Sequence, residues 1–188
     1  KAAHASVLRG KPDNSIQPSG KWIWSTESGS ALGGEKITLR KRFQLPSAPA
    51  IAKAIVTADN EYQLVINNKL IGSDPDLTTV ETYAVGTNLK QGQNTIYLTA
   101  INGGKNANPA AAWMQIIIVL ADGTKQTITT DNTWEWSASV PDNKGKFAKE
   151  PTDWKPAFVV RNQTTWERMT AAKLKAAVSQ GGSGIPSY

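Results

Sequence analysis

An all-β, antiparallel sandwich is the fold class that this sequence predicts, on three observations. Short apolar or alternating runs recur from Lys21 to Val160, turn residues separate them, and no helical periodicity intervenes before residue 160. At 188 residues, 39% hydrophobic and 19% charged, the chain is long enough to bury a core and polar enough to stay in water. No apolar run reaches the ~20 residues of a membrane-spanning helix.

Taken in order, residues 1–20 carry Gly, Pro, Ser and Asn without periodicity and read as a leader or linker. Residues 21–160 hold the sandwich. Its strand runs are KITLRKRFQL, AKAIVTA, YQLVIN, KLIGS, TYAVGTNL, NTIYLTAI, WMQIIIVLA, TKQTITT and FVV. Asn67-Asn68, the QGQN of 91–94 and the ADG of 121–123 are the hairpin turns, since Asn and Gly tolerate the positive φ that tight turns need. Residues 161–188 read as a helical tail and linker leading toward a further domain. Thr164 stands three residues before Glu167, a capping-box spacing, and Gly181-Gly182 ends the helix-forming run.

Strand parity then sorts the loops to two ends. With the strand ending at Ala58 taken as rising, the lower loops are short turns. The upper loops are long and carry Asp59, Asn60, Asp74, Asp76, Glu81, Asn102 and Asp131, with Trp113 and Trp136 beside them. Function gathers on long loops held by a rigid scaffold.

Several chemistries are disfavoured. Cysteine is absent, which removes disulfides, thiol nucleophiles and thiolate metal sites. The one histidine, His4, lies in the leader, away from any triad or imidazole–metal centre in the sandwich. The net charge of +6 comes from scattered Lys and Arg, and alternation in the LRKRF strand splits its charges between two faces, so no nucleic-acid partner is expected. Gly-rich stretches lack the Lys-Ser/Thr ending of a phosphate loop.

What remains suits a sugar. Asp and Asn side chains hydrogen-bond hydroxyls, and an indole face receives the C–H side of a pyranose. Asp59, Asn60, Asn102 and Asp131, with Trp113 or Trp136 as the ring, form the expected ligand-binding set. Asp59-Asn60 and Asp131 serve equally as turn formers, and both Trp residues serve equally as core. On the sugar reading, Asp59→Ala and Asn102→Ala abolish binding and leave the domain folded. Asp74, Asp76 and Glu81 offer the oxygens a calcium ion takes; no cofactor is required, and calcium is the one the residues allow.

The same stretches carry a resemblance. KWIWS, RKRFQLP, IVTADNEYQLVINNKLIG, NLKQGQNTIYLTAINGG, IIIVLADGTKQTITTDNTWEWS and DWKPA follow one another as in galactose-binding-like jelly-roll domains. Such domains are accessory modules of bacterial glycoside hydrolases of the rhamnosidase and β-galactosidase type, and also occur in planctomycete-type secreted multidomain proteins. The match runs from about Lys21 to Pro156. It departs where Asn67-Asn68 replaces the usual Asn-Gly turn, and at Trp113, where an aliphatic residue is more usual. The resemblance implies a jelly roll, no catalysis, carbohydrate as ligand, neighbouring domains of a parent protein as partners, and an exported, extracellular or periplasmic setting. The competing expectation is a structural domain that packs on a neighbour and binds no sugar.

Overall fold

The computed structural model describes residues 18–179, with side chains to Leu174. The strands among them, in chain order, are β1 (Ile23–Trp24), β2 (Ser30–Ala31), β3 (Lys36–Leu45), β4 (Pro49–Asp59), β5 (Glu61–Ile66), β6 (Lys69–Asp74) and β7 (Glu81–Ala84). They continue as β8 (Gly92–Ile101), β9 (Asn108–Pro109), β10 (Ala111–Leu120), β11 (Lys125–Thr129), β12 (Glu135–Ser137), β13 (Lys155–Pro156) and β14 (Phe158–Val159). One helix, α1 (Gln163–Ser179), follows.

Two antiparallel sheets face each other as a jelly-roll sandwich. One runs β14-β1-β10-β4-β7, with β11 also pairing β10; the other runs β13-β12-β3-β8-β5-β6. A small β2-β9 ribbon closes one end. The register assigns the faces. Tyr83 of β7 reaches across to Tyr62 of β5, so its ladder partner Ala54 also points inward. Ala52, Val56 and Ala58 follow by alternation, opposite Ile118, Met114 and Ala112 of β10. With Ile37, Leu39, Leu64, Ile66, Ile96 and Leu98 of the second sheet, these residues build the core.

Both faces of β4 are buried, because α1 covers the outer one. Trp166 stacks on Trp22 with ring centroids 4.9 Å apart, and the Trp22 Nε1–H donates to Thr170 Oγ1 at 2.7 Å. Lys173 Nζ donates to Thr57 Oγ1 on the outward row of β4 at 2.9 Å. The expected capping box is absent. Asn162 takes a left-handed φ of 62°, the helix starts at Gln163, and Glu167 spends its carboxylate on Lys21 at 3.0 Å.

Two expectations about connectivity need correction. The QGQN of 91–94 is not a hairpin turn: β7 and β8 belong to opposite sheets, and Gly92 opens β8; the chain likewise crosses between sheets at Asp59-Asn60, from β4 to β5. The loop after β11 is not at the upper end. β11 stops at Thr129 opposite Gln115, halfway down β10, and the chain crosses sideways into β12, which enters opposite Arg40, midway along β3. Parity failed at this loop because the β11–β12 crossing at the sandwich edge keeps strand direction, whereas the β4–β5 and β7–β8 crossings reverse it as a hairpin does. The run TYAVGTNL also divides: after β7 a 3₁₀ turn, Gly86–Asn88, carries the chain to the other sheet.

Candidate functional site

Three of the expected ligand residues lie at the upper end. Asp59 ends β4, and its peptide bond to Asn60 is cis. The Asn60 N–H donates to Ile101 O at 3.0 Å, and Asn60 Oδ1 accepts from the Gly103 N–H at 2.6 Å. A Cβ at position 103 would lie 2.9 Å from that same oxygen, so glycine is what lets the two loops approach. Asn102 is fully buried and ties the β2 segment to the β8–β10 connection. Its N–H donates to Glu35 O at 2.8 Å and its carbonyl accepts from Gly34 at 2.8 Å. Its Nδ2 donates to Leu32 O at 2.9 Å, with Ala31 O at 3.4 Å and Asn108 O at 3.5 Å. Its Oδ1 is buried and without a partner. Asn102 is thus a brace as well as a ligand candidate.

The remaining candidates go elsewhere. Trp113 is 1% exposed, sits on the outer face beside Thr57, and lines a cavity of about 270 Å³ with Trp22, Lys21, Glu167 and Thr170. It offers no ring at the upper end, because α1 and the preceding chain cover it. Asp131 stands at the half-height crossover, where Oδ1 accepts from the Thr133 N–H at 2.8 Å and from its hydroxyl. That is turn formation. Trp136 packs half-buried against the core from β12, between β13 and β3, with Lys155 Nζ 5.2 Å from its ring centroid. Neither Asp131 nor Trp136 can join Asp59.

The acidic trio is also divided in its duties. Asp74 Oδ1 accepts from the Asp76 N–H at 2.5 Å, and Asp76 Oδ1 from the Thr78 N–H at 2.8 Å and hydroxyl at 2.6 Å. Those Thr78 bonds hold the Asp76 carboxyl below its ordinary range. Glu81 lies on the inward row, taking hydrogen bonds from Tyr62 at 3.0 Å and Thr79 at 2.6 Å. Burial pushes it up to about 7, helped by the neighbouring Asp74 carboxyl and opposed by those two donors. Among the described residues, no three His, Cys, Asp or Glu side chains are grouped to hold a metal ion.

The sequence reading missed Lys173. Burial lowers its pKa to about 8, while Asp59, Glu81 and Asp76 pull it back upward; the Asp59 carboxyl is itself raised by burial and restrained by Lys173. The signal was present in the helical spacing. Trp166, Thr170 and Lys173 share one stripe of α1, and a stripe ending in a cation has an anion to find on the face it covers.

No family model matches the chain. An α-L-rhamnosidase of Formosa agariphila is 27% identical across 64% of this chain, which spans 16% of that protein's length. Among solved structures, the Streptomyces avermitilis α-L-rhamnosidase complexed with L-rhamnose superposes with a TM-score of 0.65 at 18% identity, covering 84% of this chain and 16% of that one. The apo lectin of Pleurotus ostreatus gives 0.63 at 27% identity, covering 74% of this chain and 41% of the lectin. The same lectin in complex with GalNAc gives 0.62 at 23%, covering 84% and 47%. The galactose-binding-like jelly roll read from the motif order is the fold these relatives share with the chain.

Proposed function

We propose that this chain is a non-catalytic carbohydrate-binding module of a larger exported protein, and that Asp59 and Asn60 form its sugar site, with the buried Asn102 bracing the loops beside them. The observation that carries this reading is that these residues stand at one end of the sandwich, where the Asn60–Gly103 bond locks the loops without a ligand's help. Leu32, 71% exposed on the same corner, supplies an apolar contact for a sugar C–H face. The lectin and rhamnosidase likenesses support a sugar as the ligand. The non-catalytic part rests on the placement of the perturbed carboxyls. Asp59 lies on the outward row of β4 and Glu81 on the inward row of β7, so the two do not face each other as a hydrolytic pair must.

Calcium is the cofactor the residues allow. The carbonyls of Ala31, Leu32 and Asn108 take their hydrogen bonds from Asn102 Nδ2, so of that cluster the partnerless Asn102 Oδ1 is the oxygen left for a cation.

Isothermal titration with L-rhamnose and with GalNAc, each with calcium and with a chelator, tests both claims. Saturable binding is expected, lowered by chelation and weakened about tenfold or more by Asp59→Ala, in line with the loss of a charge-assisted hydrogen bond. No heat with either sugar or a wider glycan panel, in both conditions, sinks the sugar reading.

The burial of Trp113 favours a second reading, in which the domain packs on a neighbour through exposed apolar residues such as Leu32. Silence across the glycan panel, with a Leu32→Ser variant that loses contact with an adjoining domain, would select it.

A further inference from the structure

The end opposite Asp59, where Asn67-Asn68 reads from sequence as plain turn chemistry, carries a groove of about 370 Å³ lined by Asn68, Lys90, Gln93, Thr95, Tyr97 and Glu150. Its floor is the outward row of β8. Gln93, Thr95 and Tyr97 alternate there, about 7 Å between successive side chains, so the row runs about 13 Å. Tyr97 is buried between Phe147, at 5.1 Å centroid separation, and Trp154, at 5.8 Å. Its hydroxyl donates to the Glu150 carboxylate, fixing that acceptor at the groove wall.

The opposite wall is equally fixed. Asn67 Nδ2 donates to Asn88 O and to Asn94 Oδ1, each at 2.8 Å, and Asn67 Oδ1 accepts from the Thr95 N–H at 2.9 Å. Asn94 is itself fully buried and bonded to Lys90 and Gly92. Lys146 Nζ donates to Asn68 O at 2.5 Å, pinning the turn from outside. A two-residue turn needs none of this bracing to reverse the chain. What the bracing achieves is a rigid frame around four exposed side chains, Asn68, Lys90, Gln93 and Glu150.

We propose that this groove is a second saccharide subsite, taking hydroxyl groups of a neutral oligosaccharide. The chemistry points to that class. Lys90 and the two amides donate, Glu150 and the amide oxygens accept, and the one cation and one anion cancel. Hydroxyls, which both donate and accept, match such a mixed lining; an anionic or cationic ligand would leave one charge opposed. The volume is at the lower end of ligand sites, about 300 to 1,000 Å³. This subsite stands apart from the Asp59 corner and does not depend on it.

The test is a titration of ¹⁵N-labelled protein with maltotriose, cellotriose and a galactotriose, followed through side-chain amide signals. Asn68 and Gln93 report the groove, and Asn60 and Asn102 the opposite corner, so the two sites are read separately in one sample. With at least one trisaccharide, the Asn68 and Gln93 amides are expected to shift saturably. In the Lys90→Ala/Gln93→Ala double variant, the Asn68 response should weaken about tenfold or more, as expected for two lost hydrogen bonds. Both positions are exposed, so the variant keeps its fold, which its unchanged backbone spectrum verifies. Groove amides that stay still with all three sugars, or an Asn68 shift that survives the double variant, overturns the proposal, whichever way the Asn60 and Asn102 signals behave.

Discussion

Glu81 folds with its carboxyl between the two sheets, against Tyr62, Tyr83 and Asp74, and that position gives the protein a dependence on pH. Its folded pKa is about 7 against an ordinary 4.5. Below pH 4.5 it is protonated folded and unfolded alike, and costs nothing. Between 4.5 and 7 the unfolded chain gives up the proton first, so stability falls as pH rises, then levels off above 7. Glu81→Gln should flatten that segment: the melting temperatures at pH 4.5 and pH 7.5 should draw together relative to the parent protein. Equal slopes in the two proteins would mean the carboxyl is better solvated than its neighbours suggest. Asn102 gives the second residue-level expectation. It braces several backbone carbonyls, so Asn102→Ala should lower stability by about 1–3 kcal/mol in chemical denaturation, with or without sugar. This departs from the sequence reading, in which its loss left the domain folded. Its side chain is identical for a loop ligand and a loop brace, and only burial tells the two apart.

Among the elements, legibility followed length. β3, β4, β8 and β10 each run ten or eleven residues and announced themselves by apolar content and alternation. β1, β2, β9, β13 and β14 are two-residue pairings, too short for a period, and they exist because a neighbouring strand offers its edge. The upper end was half legible. Asp59, Asn60 and Asn102 were rightly placed at that end because each stands at or just past the end of a long strand. Asp131 was misplaced because nothing local distinguishes a crossing between sheets from a hairpin. Helix α1 was legible as a helix and illegible as a cover, since its packing face is set by residues as distant in sequence as Trp22, Thr57 and Trp113. Trp166→Ala tests that cover. Loss of the stack on Trp22 should cost about 2–4 kcal/mol locally, read as faster amide exchange through Gln163–Leu174 while β3 and β8 stay protected. Exchange quickening equally everywhere would show that α1 and the sandwich unfold as one unit.

At the scale of the whole molecule, the described residues hold no helix long and apolar enough to cross a membrane, and the sequence has no cysteine to staple the fold. Cohesion therefore comes from burial between the sheets and beneath α1. Two polar regions stand at opposite ends of the sandwich, one where the chain crosses between sheets at the half-buried Asp59 and Asn60 and one where braced turns frame a groove. Between them the side face of the first sheet is closed by α1 over Trp22 and Trp113. That closure makes the protein its own optical gauge. Four of its seven indoles, Trp22, Trp24, Trp113 and Trp134, are sealed from solvent, and two of those four lie under the helix. Lifting α1 would wet that pair while Trp134 stayed dry, reddening part of the emission and erasing the circular dichroism of the coupled Trp22–Trp166 rings. Helix release and sandwich unfolding could thus be followed as two colours in one unlabelled sample.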